Sequence, residues 1–141
     1  GELFDVFFRK AVLSEQLAQP QSAAFCGLVV ALDELSRDLT RNAGGKAVVA
    51  HPGQYKLDDE RMEQLMRDAK AASVSGLECC YSGYSVEEST KYLKLAEKFG
   101  FCPTAGSDWH GKNKPHIKLG SGINGELSAS YGLLQGLRSH G

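Results

Sequence analysis

The chain has 141 residues, of which 42% are hydrophobic and 23% are charged, a balance typical of one globular unit with a buried core. Sixteen Lys and Arg against seventeen Asp and Glu give a formal net charge of −1, which argues against a broad basic surface for nucleic acid or membranes. Without a signal peptide pattern or an apolar run of roughly 18–20 residues, we expect a cytoplasmic protein with no membrane partner.

Two helices and a short strand are predicted in the first third of the chain. Apolar residues follow helical spacing over residues 3–17 and 25–41, and residues 42–45 supply a Gly-rich stop. Residues 46–50 are small and β-branched, as in a buried parallel strand. This strand ends at His51.

Four further elements alternate between helix and strand. They are a helix from Asp58 or Asp59 to about residue 73, a strand over 76–81, a helix from a capping box at 85–88 to about residue 100, and a strand over 101–106. In the strand over 76–81, period two places Glu78 and Tyr81 on opposite faces. Pro103 argues against a fully paired central position for the last strand.

This alternation predicts an α/β fold with parallel strands joined by crossover helices, in a sheet or a barrel. Catalytic groups on such folds lie at the carboxyl ends of the strands. A Lys- and Gly-rich segment follows Gly111, and residues 128–139 have the pattern of a short closing helix. No repeat or long linker indicates a second domain.

Three residues at predicted strand ends form a candidate metal site: His51, Asp108 and His110. Imidazole and carboxylate ligands suit divalent Zn, Mn or Fe, so the set indicates a metal-dependent hydrolase. In an extended Asp-x-His segment, both side chains point to the same side, so they can bind one ion or bridge neighbouring ions. The alternative for any single histidine is a surface or capping role, which we favour for His116 and His140.

Other side chains near these positions have several possible roles. Glu78 could bind a metal, orient an imidazole from outside the metal shell, or serve a structural role. Lys112 and Lys114 follow the Asp-x-His segment and could contact a phosphate or form a solvated loop. Trp109 is interpreted as a pocket wall. The cysteines show no C-x-x-C spacing and are expected to be reduced and mostly buried: Cys26, Cys79, Cys80 and Cys102.

An ordered set of motifs resembles the PHP (polymerase and histidinol phosphatase) superfamily of phosphoesterases. The motifs are Ala50-His51-Pro52-Gly53, Gly76-Leu77-Glu78, Tyr81-Ser82-Gly83 and Gly106-Ser107-Asp108-Trp109-His110-Gly111. Each motif alone is weak, but their order and spacing over roughly residues 33–120 are specific.

The resemblance implies that the chain is the C-terminal portion of one distorted seven-stranded β/α (TIM-like) barrel. Residues 1–32 would be a helical lead-in or insertion, residues 33–120 the motif-bearing units, and residues 121–141 a closing segment. It also implies a polynuclear centre of Mn, Zn or Fe with His51, Asp108 and His110 as ligands. Metal-activated water would hydrolyse phosphate esters of nucleotides, oligonucleotides or other small phosphomonoesters.

Three departures from the family pattern affect these expectations. No histidine precedes His51, so the remaining ligands are expected outside this chain. Gln54 stands where relatives often have Arg, and Tyr84 stands where many have His, so substrate contacts by these residues are weak assignments, as are those by Lys112 and Lys114. We expect little activity from these 141 residues alone, and self-association through an exposed strand edge.

Two other functions remain open at this point. A non-catalytic PHP-like binding or structural module is favoured by Gln54 and by the missing histidines. Another metal-dependent β/α-barrel hydrolase, such as an amidohydrolase, would use similar ligands, although the Lys-rich loop favours phosphate.

Overall fold

The structure, a computed structural model, describes residue 38 and residues 41–140. The helix predicted over 3–17, most of the helix predicted over 25–41, and Cys26 lie outside the described residues. Arg41 is helical, and Gly44 follows with a φ of 78° and an amide that donates to the Arg41 carbonyl at 2.9 Å. The Gly-rich stop is therefore confirmed, because a positive φ at this point suits glycine.

Three parallel strands form the sheet that carries the candidate site. They are β1 (Val48–Val49), β2 (Gly76–Tyr81) and β3 (Cys102–Gly106), in the order β1-β2-β3. All three predicted strands are present, although β1 is shorter than the predicted 46–50. Among the described residues, β3 pairs with β2 alone, which agrees with the edge position that Pro103 predicts.

Helices connect the strands, and local capping residues fix where they begin. The helices are α1 (Asp59–Ala71), between β1 and β2; α2 (Val86–Phe99), between β2 and β3; and α3 (Tyr131–Ser139), which contacts β3. Asp58 caps α1 by accepting a hydrogen bond from the Arg61 amide at 2.9 Å. Ser85 and Glu88 form the predicted capping box of α2, and Gly100 ends that helix in the left-handed conformation.

The core lies where α1 and α2 pack against the sheet. Its innermost side chains, Met66, Leu77 and Cys79, are fully buried. The other buried members come from the same elements and the adjoining loops: Ala47, Val49, Met62, Leu65, Ala69, Ala72, Val74, Tyr92, Ala96 and Phe101. Both strand-connecting helices contribute side chains to this core. Burial of these side chains against the sheet therefore holds the carboxyl ends of the strands in place.

A register shift in β2 corrects one prediction about its faces. Glu78 pairs with Thr104 and Cys80 with Ala105, so Cys79 is an extra residue relative to β3. This irregularity interrupts the simple alternation along the strand. The prediction that Tyr81 faces away from Glu78 was wrong, since both side chains contact the same group of residues at the end of the sheet.

The described residues confirm a mixed α/β architecture with parallel strands, but their sheet does not close into a barrel. A separate antiparallel pair, β4 (Ile117–Lys118) and β5 (Gly122–Ile123), occupies the Lys- and Gly-rich segment, where no strands were predicted. The closing helix predicted over 128–139 is present as α3. The seven-stranded barrel stays a prediction.

None of the helices in the described part of the chain combines the length and apolar character that a membrane span requires.

We predict that Ser85→Ala lowers the free energy of unfolding by about 1 kcal/mol, because the amide of Glu88 loses its cap. The measurement is urea denaturation monitored by circular dichroism. Ser89→Ala, the same chemical change inside α2, is the matched control and should not destabilise the protein, because alanine favours helix interiors. Equal losses in the two variants would contradict this role of Ser85.

Candidate functional site

His51 lies directly beyond β1, at the carboxyl edge of the sheet. It is buried, and it precedes a 3₁₀ turn over Pro52–Tyr55. Its backbone has φ 29° and ψ 61°, a conformation that non-glycine residues rarely adopt. Its amide donates a hydrogen bond of 2.6 Å to Oε2 of Glu78. The sheet and this hydrogen bond together fix the position of the His51 backbone, from which the imidazole extends.

Glu78 occupies the middle of β2 and lies between the ends of the other two strands. Its Oε1 lies in the space that a β-carbon on Gly106 would occupy, so an alanine there would displace the end of the Glu78 side chain. Burial raises the pKa of Glu78 to about 7, and the charge of Asp108 contributes in the same direction. The amide of His51 opposes this shift by stabilising the carboxylate.

Asp108, just beyond β3, is the best-enclosed carboxylate at this edge. Only 8% of the residue is exposed, and its backbone is left-handed with φ 58°. Its Oδ2 accepts hydrogen bonds from the Tyr81 hydroxyl at 2.7 Å and from the ammonium of Lys114 at 2.5 Å. Its Oδ1 is buried and accepts no hydrogen bond from the residues that the structure describes.

His110 lies beside Asp108, but not for the reason expected from the sequence. The left-handed φ of Asp108 means that the Asp-x-His segment is not extended, so the argument from an extended segment was wrong. Instead the chain turns, placing His110 Nδ1 at 2.7 Å from the Asp108 carbonyl oxygen and at 3.5 Å from Asp108 Oδ1. The turn brings the imidazole and the carboxylate together.

Tyr81 connects His51 with this pair. The rings of His51 and Tyr81 have centroids 5.6 Å apart, and the Tyr81 hydroxyl bonds to Asp108. Sequence reasoning assigned Tyr81 only to a face of its strand and to a motif, and it missed this bond to Asp108. Its position at the end of β2, beside the predicted ends of β1 and β3, was the signal that could have indicated it.

The donor atoms suit a divalent metal in part. In residues 38 and 41–140, no three side chains of His, Cys, Asp or Glu are close enough together to hold a metal ion. Asp108 Oδ1 is nevertheless a buried acceptor with an imidazole nearby, and the Lys114 ammonium already places a positive charge against the same carboxylate. Carboxylate and imidazole groups, which are common ligands of divalent metals, are therefore both present at this edge of the sheet.

The residues predicted as weaker substrate contacts occupy different environments. Gln54 and Lys112 are exposed, and their positions leave them accessible to a ligand. Lys114 is half-buried against Asp108. Tyr84 is also half-buried, and its hydroxyl accepts a hydrogen bond from the Gly53 amide at 2.7 Å while its ring stacks on that of Tyr92. Tyr84 thus packs the turn that follows His51.

The cysteines of the described part are free thiols, as predicted. Burial raises the pKa of Cys79 to about 12 and raises those of Cys80 and Cys102, so none of the three is an activated thiolate. Trp109 is 47% exposed, between Asp108 and His110 in sequence.

Comparison with known proteins finds partial similarity to phosphate-ester hydrolases. No family model matches the chain. Over 68 residues it is 37% identical to the 3',5'-nucleoside bisphosphate phosphatase of Chromobacterium violaceum, covering 48% of this chain and 24% of that enzyme. Over 87 residues it is 32% identical to the 5'-3' exoribonuclease Rnm of Escherichia coli, covering 62% of this chain and 29% of the relative.

A third relative has a related chemistry. The phosphoribosyl 1,2-cyclic phosphate 1,2-diphosphodiesterase of Eggerthella lenta is 33% identical over 76 residues, covering 52% of this chain and 27% of that enzyme. By their names, these three relatives are a phosphatase, an exoribonuclease and a diphosphodiesterase. The chain spans less than a third of the length of the curated relatives it matches. The similarity is therefore to parts of phosphate-ester hydrolases, and it identifies no substrate for this chain.

We predict that Tyr84→Phe lowers the free energy of unfolding by about 1–2 kcal/mol, because the Gly53 amide loses its acceptor in a partly buried site. Urea denaturation measures the change. Tyr131→Phe is the matched control, since Tyr131 is 62% exposed, and a change within about 0.5 kcal/mol is expected there. Unchanged stability of Tyr84→Phe, with weaker phosphate binding, would instead indicate that Tyr84 contacts substrate.

Proposed function

We propose that this chain is part of a metal-dependent phosphoesterase of the PHP type. His51, Asp108 and His110 contribute ligands to a divalent metal centre of Mn, Zn or Fe, which residues outside this chain complete. The substrates are phosphate esters of nucleotides, oligonucleotides or other small phosphomonoesters. The names of the relatives, a phosphatase, an exoribonuclease and a diphosphodiesterase, support this class of reaction.

The observation that carries the proposal is the environment of the Asp108 carboxylate. Tyr81 and Lys114 bind Oδ2 and fix the orientation of the carboxylate, whereas Oδ1 is buried beside His110 and accepts no hydrogen bond in the described part of the chain. A buried acceptor without a donor is costly unless another group satisfies it. A metal ion bound to Oδ1 would satisfy this atom while Oδ2 keeps its present donors.

The residues around the proposed centre have separable roles. When bound, a divalent metal ion polarises a phosphoryl oxygen and activates a water molecule. Lys114 balances the charge of Asp108, and Lys112, exposed on the same loop, is placed to attract the anionic substrate. Gln54 provides an uncharged hydrogen-bonding group just beyond His51, so phosphate binding depends more on the lysines and the metal than on this position.

A non-catalytic PHP-like module is the alternative with an observation in its favour. The described residues contain no preassembled group of three metal ligands, and Gln54 carries no charge. Such a module would bind phosphate esters or partners without turning them over. An amidohydrolase gains no comparable support, because the curated relatives act on phosphate esters.

We predict that His51→Ala, Asp108→Asn and His110→Ala each weaken manganese binding and phosphatase turnover in the complete protein. The losses should exceed the roughly 10–100-fold effect typical of residues just outside a metal shell. Metal content after dialysis, isothermal titration with manganese, and turnover of a panel of nucleoside phosphates and short oligonucleotides are the measurements. His116→Ala, on an exposed loop, is the control and should change neither quantity.

The outcomes separate the candidate functions. Manganese binding and phosphate-ester turnover that both require His51, Asp108 and His110 support the proposal. Turnover that survives the three substitutions would overturn it. Binding of phosphate esters without turnover by the complete wild-type protein would favour the non-catalytic module, and hydrolysis of amides alone would favour an amidohydrolase.

A further inference from the structure

Glu78 contacts the ends of both strands that flank its own. Its Oε2 accepts a hydrogen bond of 2.6 Å from the amide of His51, which lies just beyond β1. Its Oε1 lies against Gly106, the last residue of β3, so closely that a β-carbon there would be 2.0 Å away. One carboxyl group of β2 therefore contacts residues at the carboxyl ends of both neighbouring strands.

The residue that Glu78 contacts has an unfavourable backbone conformation. A non-glycine residue at φ 29° and ψ 61° persists only where its surroundings hold it. The Pro52–Tyr55 turn follows His51 on one side, and the short strand β1 precedes it on the other. The hydrogen bond from the His51 amide to Glu78 is a side-chain contact that acts directly on this backbone.

The same conformation determines the direction of the imidazole. The buried ring of His51 lies 5.6 Å from the ring of Tyr81, whose hydroxyl donates to Asp108. A change in the φ of His51 would swing its ring relative to Tyr81 and Asp108. The bond to Glu78 thus acts on the distance between His51 and the Asp108–His110 pair.

We propose that Glu78 is a positioning residue that holds His51 in its left-handed conformation and directs its imidazole toward Asp108, with Gly106 providing the space that the Glu78 side chain requires. The proposal rests on the proposed metal-ligand role of His51. It assigns the effect of Glu78 to its hydrogen bond with the backbone, and not to direct contact with a metal.

Three substitutions at Glu78 separate these two roles. Glu78→Gln keeps the size of the side chain and an oxygen that accepts a hydrogen bond from the backbone amide of His51. The side-chain oxygen of Gln is, however, a poorer metal ligand than a carboxylate. Glu78→Ala removes the acceptor. Glu78→Asp keeps the carboxylate but shortens the side chain by one methylene, so the 2.6 Å contact with His51 is lost.

The first measurement uses the metal-free protein labelled with ¹⁵N-histidine. Hydrogen exchange of the His51 amide should be slow in the wild type and in Glu78→Gln, and faster by about tenfold or more in Glu78→Ala and Glu78→Asp. The amides of the other histidines in each sample report any general loss of structure. Unchanged exchange at His51 in Glu78→Ala would overturn the proposal.

The second measurement is manganese affinity by isothermal titration, at temperatures below the unfolding transition of every variant. Glu78→Gln should remain within about threefold of the wild type, whereas Glu78→Ala and Glu78→Asp should lose roughly 10–100-fold. A manganese affinity of Glu78→Gln as low as that of Glu78→Ala would overturn the proposal, because it would indicate that the carboxylate itself binds the metal.

Gly106→Ala tests the same contact from β3. Its added β-carbon should displace Glu78, accelerate exchange of the His51 amide and weaken manganese binding as Glu78→Ala does. Gly132→Ala, near the start of α3, meets only Ser130 Oγ at 3.3 Å and is the control, with no change expected at His51. Slow exchange at His51 in Gly106→Ala would contradict the proposed requirement for space.

The outcomes distinguish an error in the proposed role of Glu78 from an error in the proposed function. If His51→Ala leaves manganese binding intact, the proposed ligand role of His51 is wrong, and with it the positioning of a metal ligand. If His51→Ala abolishes binding while Glu78→Ala affects neither exchange nor affinity, the proposed function stands and the role of Glu78 is overturned.

Discussion

Pairing of β2 with strands on both of its sides is the constraint on which the site depends. Leu77 and Cys79 of this strand are fully buried, and parallel hydrogen bonding to β1 and β3 aligns the carboxyl ends of all three strands. Burial of α1 and α2 against the same strands holds that alignment. His51, Glu78 and Asp108 consequently meet at one edge, although they are far apart in the chain.

The two buried residues that lie just beyond β1 and β3 share an unusual backbone. His51 has φ 29° and Asp108 has φ 58°, so both lie where non-glycine residues are uncommon. Each is held by side chains from β2, His51 by Glu78 and Asp108 by Tyr81. Local strain concentrated at strand ends and supported by neighbouring strands is typical of functional sites. The sheet therefore stabilises a geometry that neither loop would favour alone.

Charge at this edge is balanced unevenly. Glu78 and Asp108 are close enough for the charge of Asp108 to raise the pKa of Glu78, in addition to the larger effect of burial. Lys114 compensates Asp108, whereas Glu78 contacts a backbone amide. A bound cation would relieve the repulsion between the two carboxyl groups. The proposed metal centre would supply such a cation.

The sequence by itself determined the alternation of strands and helices, the cap at Ser85 and the end of that helix near Gly100, and it limited the first cap to Asp58 or Asp59. These features depend on residues close together in the chain. It also indicated which histidines and carboxylate stand at strand ends. Only the tertiary structure decided the register shift in β2, the left-handed turn at Asp108, and which atoms of Glu78 and Asp108 are engaged. The bonds from His51 to Glu78 and from Tyr81 to Asp108 each join residues 27 positions apart, and such contacts form only when the strands pair.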